Sequence, residues 1–148
     1  MTPRRLDPAT VGEKLRLLDE ALEDLESLGE VDAAHLRSDR ATRRIVERCI
    51  AHLVDVAAQI NAHAAAAITG DAPRDLSESF DRAAEAGLIE DDLAVALRPS
   101  AGMRNVIVRA YDELDLDRVA GALPLAVDGY RKYVKQVARF LADRCEDD

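Results

Sequence analysis

Tryptophan is absent from this chain of 148 residues, and aromatic residues of all kinds make up only 3% of it. A chain so poor in aromatics rarely builds a large sheet, because aromatic and β-branched side chains are what a pleated surface packs best. Long apolar runs are missing too. No stretch approaches the roughly 18 uncharged apolar residues of a membrane span. No apolar segment follows the arginines of Met1-Thr2-Pro3-Arg4-Arg5, so this start does not read as a secretory signal. Cysteine occurs only at Cys49 and Cys145, and neither has a second Cys or a His at metal-ligand spacing. The expectation is two reduced thiols, no metal site and a cytoplasmic location. A glycine-rich phosphate loop is also lacking, so no cofactor is expected.

What is present is helix-forming. Hydrophobic residues reach 48%, mostly Ala, Leu and Val, enough for one core in one domain spanning 1–148 with short disordered ends. Val11, Leu15, Leu18, Leu22 and Leu25 step by three and four, which predicts a helix over 9–28, with Pro8 in its first turn and Gly29 at its end. Asp32 to Arg37 suits one short helical turn. Ser38 is the expected cap of a long helix reaching about Ile68, with a seam of Ile45, Cys49, Leu53, Val56, Ile60 and Ala64. Ser77 is expected to cap a third helix that holds Phe80 and Ala84 and stops at Gly87. A fourth begins near Asp91, and Pro99 should break or kink it, with Ser100 capping a new start into 100–111. The last helix runs from about Asp115 to Asp143 along Val119, Leu123, Val127, Tyr130, Val134, Val137 and Leu141, with a kink at Pro124. The predicted fold class is therefore all-α: a single-domain antiparallel helix bundle of four to five main helices.

Charge adds a local pattern to a global excess. The formal net charge of -9 disfavours non-specific binding of nucleic acid. Yet Arg37, Arg40, Arg43, Arg44 and Arg48 crowd one stretch, and Arg37, Arg40, Arg44 and Arg48 step by three and four into a basic stripe. That stripe is either a solvated face paired with Asp39 and Glu47 or a phosphate-contacting ridge.

Residues 103–111 read Met-Arg-Asn-Val-Ile-Val-Arg-Ala-Tyr. On a helix turning by about 100° per residue, Met103, Val106, Ile107 and Ala110 share one apolar arc. Arg104 and Tyr111 lie within about 20° of each other on the polar side. Arg104 and Arg109 are about 140° apart, so one ligand meets both only across a bend or a second subunit.

This run resembles the signature of the HepT toxins, a branch of the HEPN (higher eukaryote and prokaryote nucleotide-binding) superfamily. Those proteins carry Arg-Asn, three residues, His, one residue and Tyr. Arg104, Asn105 and Tyr111 match, and Arg109 stands at the His position. The resemblance extends to Arg44–Ala67, to Ser79-Phe80 with Glu85-Ala86-Gly87-Leu88-Ile89, and to Ala101-Gly102-Met103 before the motif. It implies a HEPN-like helical domain and a metal-independent endoribonuclease whose cleft forms between the protomers of a homodimer. It also implies an MntA-like nucleotidyltransferase antitoxin that transfers AMP from ATP to the motif tyrosine, here Tyr111. On that resemblance Arg104 binds and orients the scissile phosphate, Asn105 holds the helix or contacts the 2′-hydroxyl, and Arg109 occupies the general acid/base position. Arg40, Arg44 and Arg48 are candidate RNA contacts.

Arg109 changes what the motif can do. A His near pKa 6.5 can take or give a proton at neutral pH, whereas an arginine stays charged to above about pH 12. It can hold a phosphate but not act as a base. The chain is then an attenuated member, a form carrying an inactivating substitution, or one that draws its base from elsewhere. Of His35, His52 and His63, the last, with Asn61, is the substitute to test. The alternative function is a non-catalytic helical adaptor that binds the nucleotidyltransferase.

Overall fold

The computed structural model describes residues 5–109 and 114–146, and all of its regular structure is helical. Six helices follow in order: α1 Pro8–Ser27, α2 Ala33–Ser38, α3 Arg40–Ile68, α4 Leu76–Glu85, α5 Asp91–Arg109 and α6 Leu116–Glu146. The all-α bundle expected from the sequence is the fold observed.

Long α3 is the spine. Its apolar side buries Val46, Cys49, Ile50, Leu53, Val54, Val56, Ala57 and Ile60 against the other helices. Helix α1 runs antiparallel to it. The Asp7 backbone N–H donates to His63 Nε2 at 3.0 Å near one end, and Lys14 Nζ donates to Gln59 Oε1 at 2.6 Å further along. The α1 seam of Val11, Leu15, Leu18, Leu22 and Leu25 is buried throughout, as its spacing predicts. The α3 seam differs at one place: Ile45 is 41% exposed and Val46 is buried instead. Helices α5 and α6 also run antiparallel, tied by Ser100 to Tyr130 at 2.7 Å and by Gln136 Oε1 to the Glu90 N–H at 2.8 Å. They come so close that a Cβ on Gly129 would lie 2.8 Å from Leu97 Cδ2.

Three expected boundaries move, each for a chemical reason. Asp39, not Ser38, caps α3: its carboxylate accepts from the N–H and the hydroxyl of Thr42 at 3.2 and 2.9 Å. Asp75, not Ser77, caps α4 by accepting from the Glu78 N–H at 2.8 Å. In both places it is the aspartate that has the extended backbone of an N-cap, which turns its carboxylate onto the first N–H groups of the helix, where the dipole favours its charge. Pro99 neither ends α5 nor starts a new helix. It lies on the exposed side with Val95, where water can satisfy the carbonyl that the ring leaves without a donor. Ser100 therefore caps nothing; its hydroxyl donates to the Leu97 carbonyl at 2.6 Å. Helix α6 likewise runs unbroken through Pro124. Helix α4 does end as expected at Gly87, whose φ of 82° is left-handed and suits glycine.

Between α3, α4 and α6 lies a buried polar cluster. Tyr133 Oη donates to Asn61 Oδ1 at 2.6 Å, and Asn61 Nδ2 donates to Ser79 Oγ at 3.3 Å. Phe80, Tyr130 and Tyr133 pack edge to face or tilted around it, with centroids 6.1–6.4 Å apart. Burial pushes both phenols above their ordinary pKa, so they are neutral hydrogen-bonding groups.

Candidate active site

Helix α5 brings Arg104 across to α3. There its Nε donates to Asp55 Oδ1 at 2.9 Å and Nη2 reaches Asp55 Oδ2 at 3.5 Å. The third link is Nη1 to the Asn105 side-chain oxygen at 3.3 Å. A guanidinium has five N–H groups in a planar fork. Asp55 takes the Nε edge, so the edge formed by the two terminal nitrogens keeps donors with no partner among the described residues. The pair is half-buried, with Arg104 28% and Asp55 38% exposed. A charge there is screened less than on an open surface, yet a ligand can still reach it.

The predicted apolar arc of this segment holds only in part. Met103 is buried and Ile107 half-buried, but Val106 is 39% exposed. Val106 belongs to an exposed line on α5 that also contains Val95, Pro99 and Gly102, at steps of four, three and four. The helix turns one side to α3 and α6 and leaves this line uncovered. Arg109 is exposed in the last turn and makes no ion pair among the described residues. Within one chain Arg104 turns toward α3 while Arg109 stays in solvent, so the two are not gathered into one pocket. Ala110 and Tyr111 lie outside the described residues.

The arginine stripe is shorter than its spacing suggests. Arg37 ends α2 and pairs with Asp117 of α6 at 2.9 Å, so it leaves the line. Asp39 is spent on capping and Glu47 pairs with Arg43 at 3.9 Å. Arg40, Arg44 and Arg48 are exposed, and among the described residues none of them forms an ion pair. On α3 these three and Asp55 fall within about 80° of arc, and Arg48 precedes Asp55 by about two turns, or about 10 Å. An unpaired basic track thus leads along α3 to the Asp55–Arg104 pair.

The histidines are placed otherwise than a substitute base requires. His63 Nε2 accepts from the Asp7 N–H, and its neighbour Asn61 is fully buried in the Tyr133 cluster. Both hold the fold together. His35 sits 3.7 Å from Asp39 at the α2–α3 junction. His52 lines a groove with Leu17, Asp24 and Arg48 on the α1 side of α3. Asp55, which sequence reasoning missed, is the acidic residue that organises the site. Its signal was faint: one of two carboxylates on an alanine-rich helix, with no oppositely charged residue of its own helix paired to it among the described residues.

Among the described residues, no group of three or more His, Cys, Asp or Glu could hold a metal ion, and no helix is long and apolar enough to cross a membrane. Cys49 is a free, buried thiol whose pKa is raised by burial.

Comparison with known proteins gives a consistent result. The family model described as "Ribonuclease HepT-like" matches residues 18–137. The chain is 25% identical over 136 residues to a tRNA nuclease HepT of Aphanizomenon flos-aquae, covering 92% of each protein. It is 28% identical over 89 residues to an mRNA nuclease HepT of Shewanella oneidensis, covering 60% of this chain and 64% of that one. Its fold matches a tri-AMPylated Shewanella oneidensis HEPN toxin solved in complex with an MNT antitoxin, with a TM-score of 0.77 at 19% identity, over 87% of this chain and 96% of that one.

Proposed function

We propose that this chain, which belongs to the HepT-like ribonuclease family, is the RNA-cleaving toxin of a toxin–antitoxin pair in the cytoplasm and is weakened by Arg109. The observation that carries the reading is the half-buried Arg104 guanidinium, held on its Nε edge by Asp55 and with one donor left on each terminal nitrogen among the described residues. A planar, bidentate donor edge is what recognises a phosphodiester. In metal-free cleavage the 2′-hydroxyl attacks the adjacent phosphorus and the 5′ oxygen leaves. One group takes the hydroxyl proton and another protonates the leaving oxygen. Arg104 neutralises the phosphate as charge builds on it. Asn105 steadies Arg104. Arg109 can add charge stabilisation but cannot move the proton. Arg40, Arg44 and Arg48 track the RNA backbone toward the site.

Two copies complete the cleft. The exposed line of Val95, Pro99, Gly102 and Val106 leads along α5 to Arg109 and offers the apolar face on which a second copy would dock. Docking there brings together the two arginines that a single helix turns apart. The antitoxin is an MntA-like nucleotidyltransferase. The Tyr111 phenol attacks the α-phosphorus of ATP, pyrophosphate leaves, and a phosphodiester-linked AMP remains beside the cleft. The added negative charge repels an incoming polyanion.

Expression of the chain as written and of Arg109→His in a host lacking the antitoxin tests this. The His form should arrest growth and degrade RNA, and Arg104→Ala in that background should lower cleavage by about 10²-fold or more. If the His form cuts no RNA, the ribonuclease reading fails. The non-catalytic adaptor then remains, a reading favoured by the arginine at position 109.

A further inference from the structure

The geometry assigns Asp55 of α3 as the positioning residue that fixes Arg104 for phosphate recognition. This deepens the reading above and rests on it. Three observations support the assignment. First, the contact is edge-selective. Asp55 accepts from Nε at 2.9 Å and from Nη2 at 3.5 Å, which is the side of the fork away from Nη1. A carboxylate placed end-on would take a donor from both terminal nitrogens, whereas this placement draws on Nη2 alone, and with Asn105 on Nη1 each terminal nitrogen keeps one donor for a phosphate. Second, the anchor is rigid. Asp55 lies at the middle of α3, flanked by the core residues Val54 and Val56. Arg104 follows Met103, which is buried. Both backbones are therefore fixed, and the ion pair removes most of the rotamer freedom that a long side chain would otherwise lose on binding RNA. Third, the link joins the arginine track of α3 to the motif helix α5. A backbone bound along Arg44 and Arg48 reaches Arg104 in a defined register.

A carboxylate beside an RNA site also has a cost, since it repels phosphate. Removing Asp55 should therefore do two things that a merely structural ion pair would not do together. Binding should hold or strengthen while turnover falls, because charge repulsion is relieved and alignment is lost. A surface pair that only joined two helices would lower the melting temperature and reduce apparent kcat in step with the folded fraction, leaving both turnover and binding per folded molecule unchanged.

The test uses the full-length chain in the Arg109→His background, with an RNA substrate and a matched RNA carrying a 2′-deoxy sugar at the cleavage point. Asp55→Asn and Asp55→Ala are compared with Asp55→Glu. Misaligning a binding group by about 1 Å can cost about 10²-fold in rate. We expect kcat to fall by about 10- to 100-fold in Asp55→Ala with KM unchanged or lower, and Asp55→Glu to recover part of it. The deoxy RNA should bind Asp55→Asn at least as tightly as its parent. A second readout needs no activity: the Arg104 Nε–H resonance should be slow to exchange in the parent and fast in Asp55→Ala. If the His form is inactive, the ribonuclease reading falls, and the Nε–H exchange and deoxy-RNA binding still decide Asp55. Unchanged kcat, or unchanged Nε–H exchange, or a loss matched by the loss of folded protein overturns the assignment.

Discussion

Helix α3 carries two polar clusters, and they use the same kinds of bond to different ends. On its inner side Asn61 meets Tyr133 and Ser79 in full burial, and the cluster closes on itself: Tyr133 donates, Asn61 accepts and donates, and the Ser79 hydroxyl donates to the Leu76 carbonyl at 2.6 Å. On its outer side Asp55 meets Arg104 half in solvent, and the guanidinium keeps donors without partners among the described residues. A buried polar group must be satisfied or the fold suffers. A group at the rim can stay partly open because water fills in until a ligand arrives. Closure marks the cluster that specifies packing, and incomplete closure marks the one available for chemistry.

Breaking the inner cluster should therefore affect stability alone. The largest effect is expected from Phe80→Ala, which removes a fully buried ring 6.4 Å from both tyrosine rings. It should cost about 3–5 kcal/mol in chemical denaturation. Tyr133→Phe comes next. It keeps the ring and strands the Asn61 oxygen, costing about 1–3 kcal/mol. Neither change should alter RNA binding per folded molecule, measured at a temperature where both variants are folded. If Tyr133→Phe lowers RNA affinity at full folding, the division between the clusters is wrong.

The outer cluster should behave in the opposite way. Arg104→Ala should change stability by less than about 1 kcal/mol, because a partly exposed ion pair is worth little once solvent screening and side-chain entropy are counted. A denaturation midpoint shifted by more than that would make the Asp55 pair a structural strut. The same logic extends to Arg40, Arg44 and Arg48. Replacing them with glutamine should leave the melting temperature alone while flattening the salt dependence of RNA binding.

The asymmetry between the clusters also explains what the sequence disclosed. Helices α1 and α6 were legible because Val11 to Leu25 and Val119 to Val137 repeat an apolar step that only one face of a helix can satisfy. The motif helix was legible as chemistry through Arg104 and Asn105, whose types and spacing match a known pattern. Boundaries were less so. Asp39 and Asp75 sit beside Ser38 and Ser77, and nothing local tells which of two good caps will have its backbone turned to extended angles. Pro99 read as a break or a kink because proline costs about 3 kcal/mol inside a helix, and the packing of α5 that outweighs this cost exists only in the folded bundle. Asp55 was illegible for a related reason. Its partner is 49 residues away, and the contact exists only once α5 has packed across α3. Tyr133 was passed over because it falls between seam positions, although it is fully buried.

The smallest effect expected at neutral pH, and one that grows with alkali, again separates the two clusters. Burial raises the pKa of Tyr130 and Tyr133 above the ordinary value of 10.0. For a group whose folded-state pKa is raised, the folded chain holds its proton where the unfolded chain has lost it. The stabilisation is complete below about pH 10 and is lost progressively above it. Each phenol should remove up to about 1.4 kcal/mol per pH unit in that range. The parent should therefore unfold cooperatively in alkali, and the phenolate absorbance of these two residues should appear with the loss of helix, not before it. Tyr130→Phe should shallow the pH dependence because its hydroxyl is held only by Ser100 at 2.7 Å, at the edge of the cluster. An alkaline transition that moved with Arg104→Ala and not with Tyr130→Phe would show that the rim, and not the interior, holds the helices together.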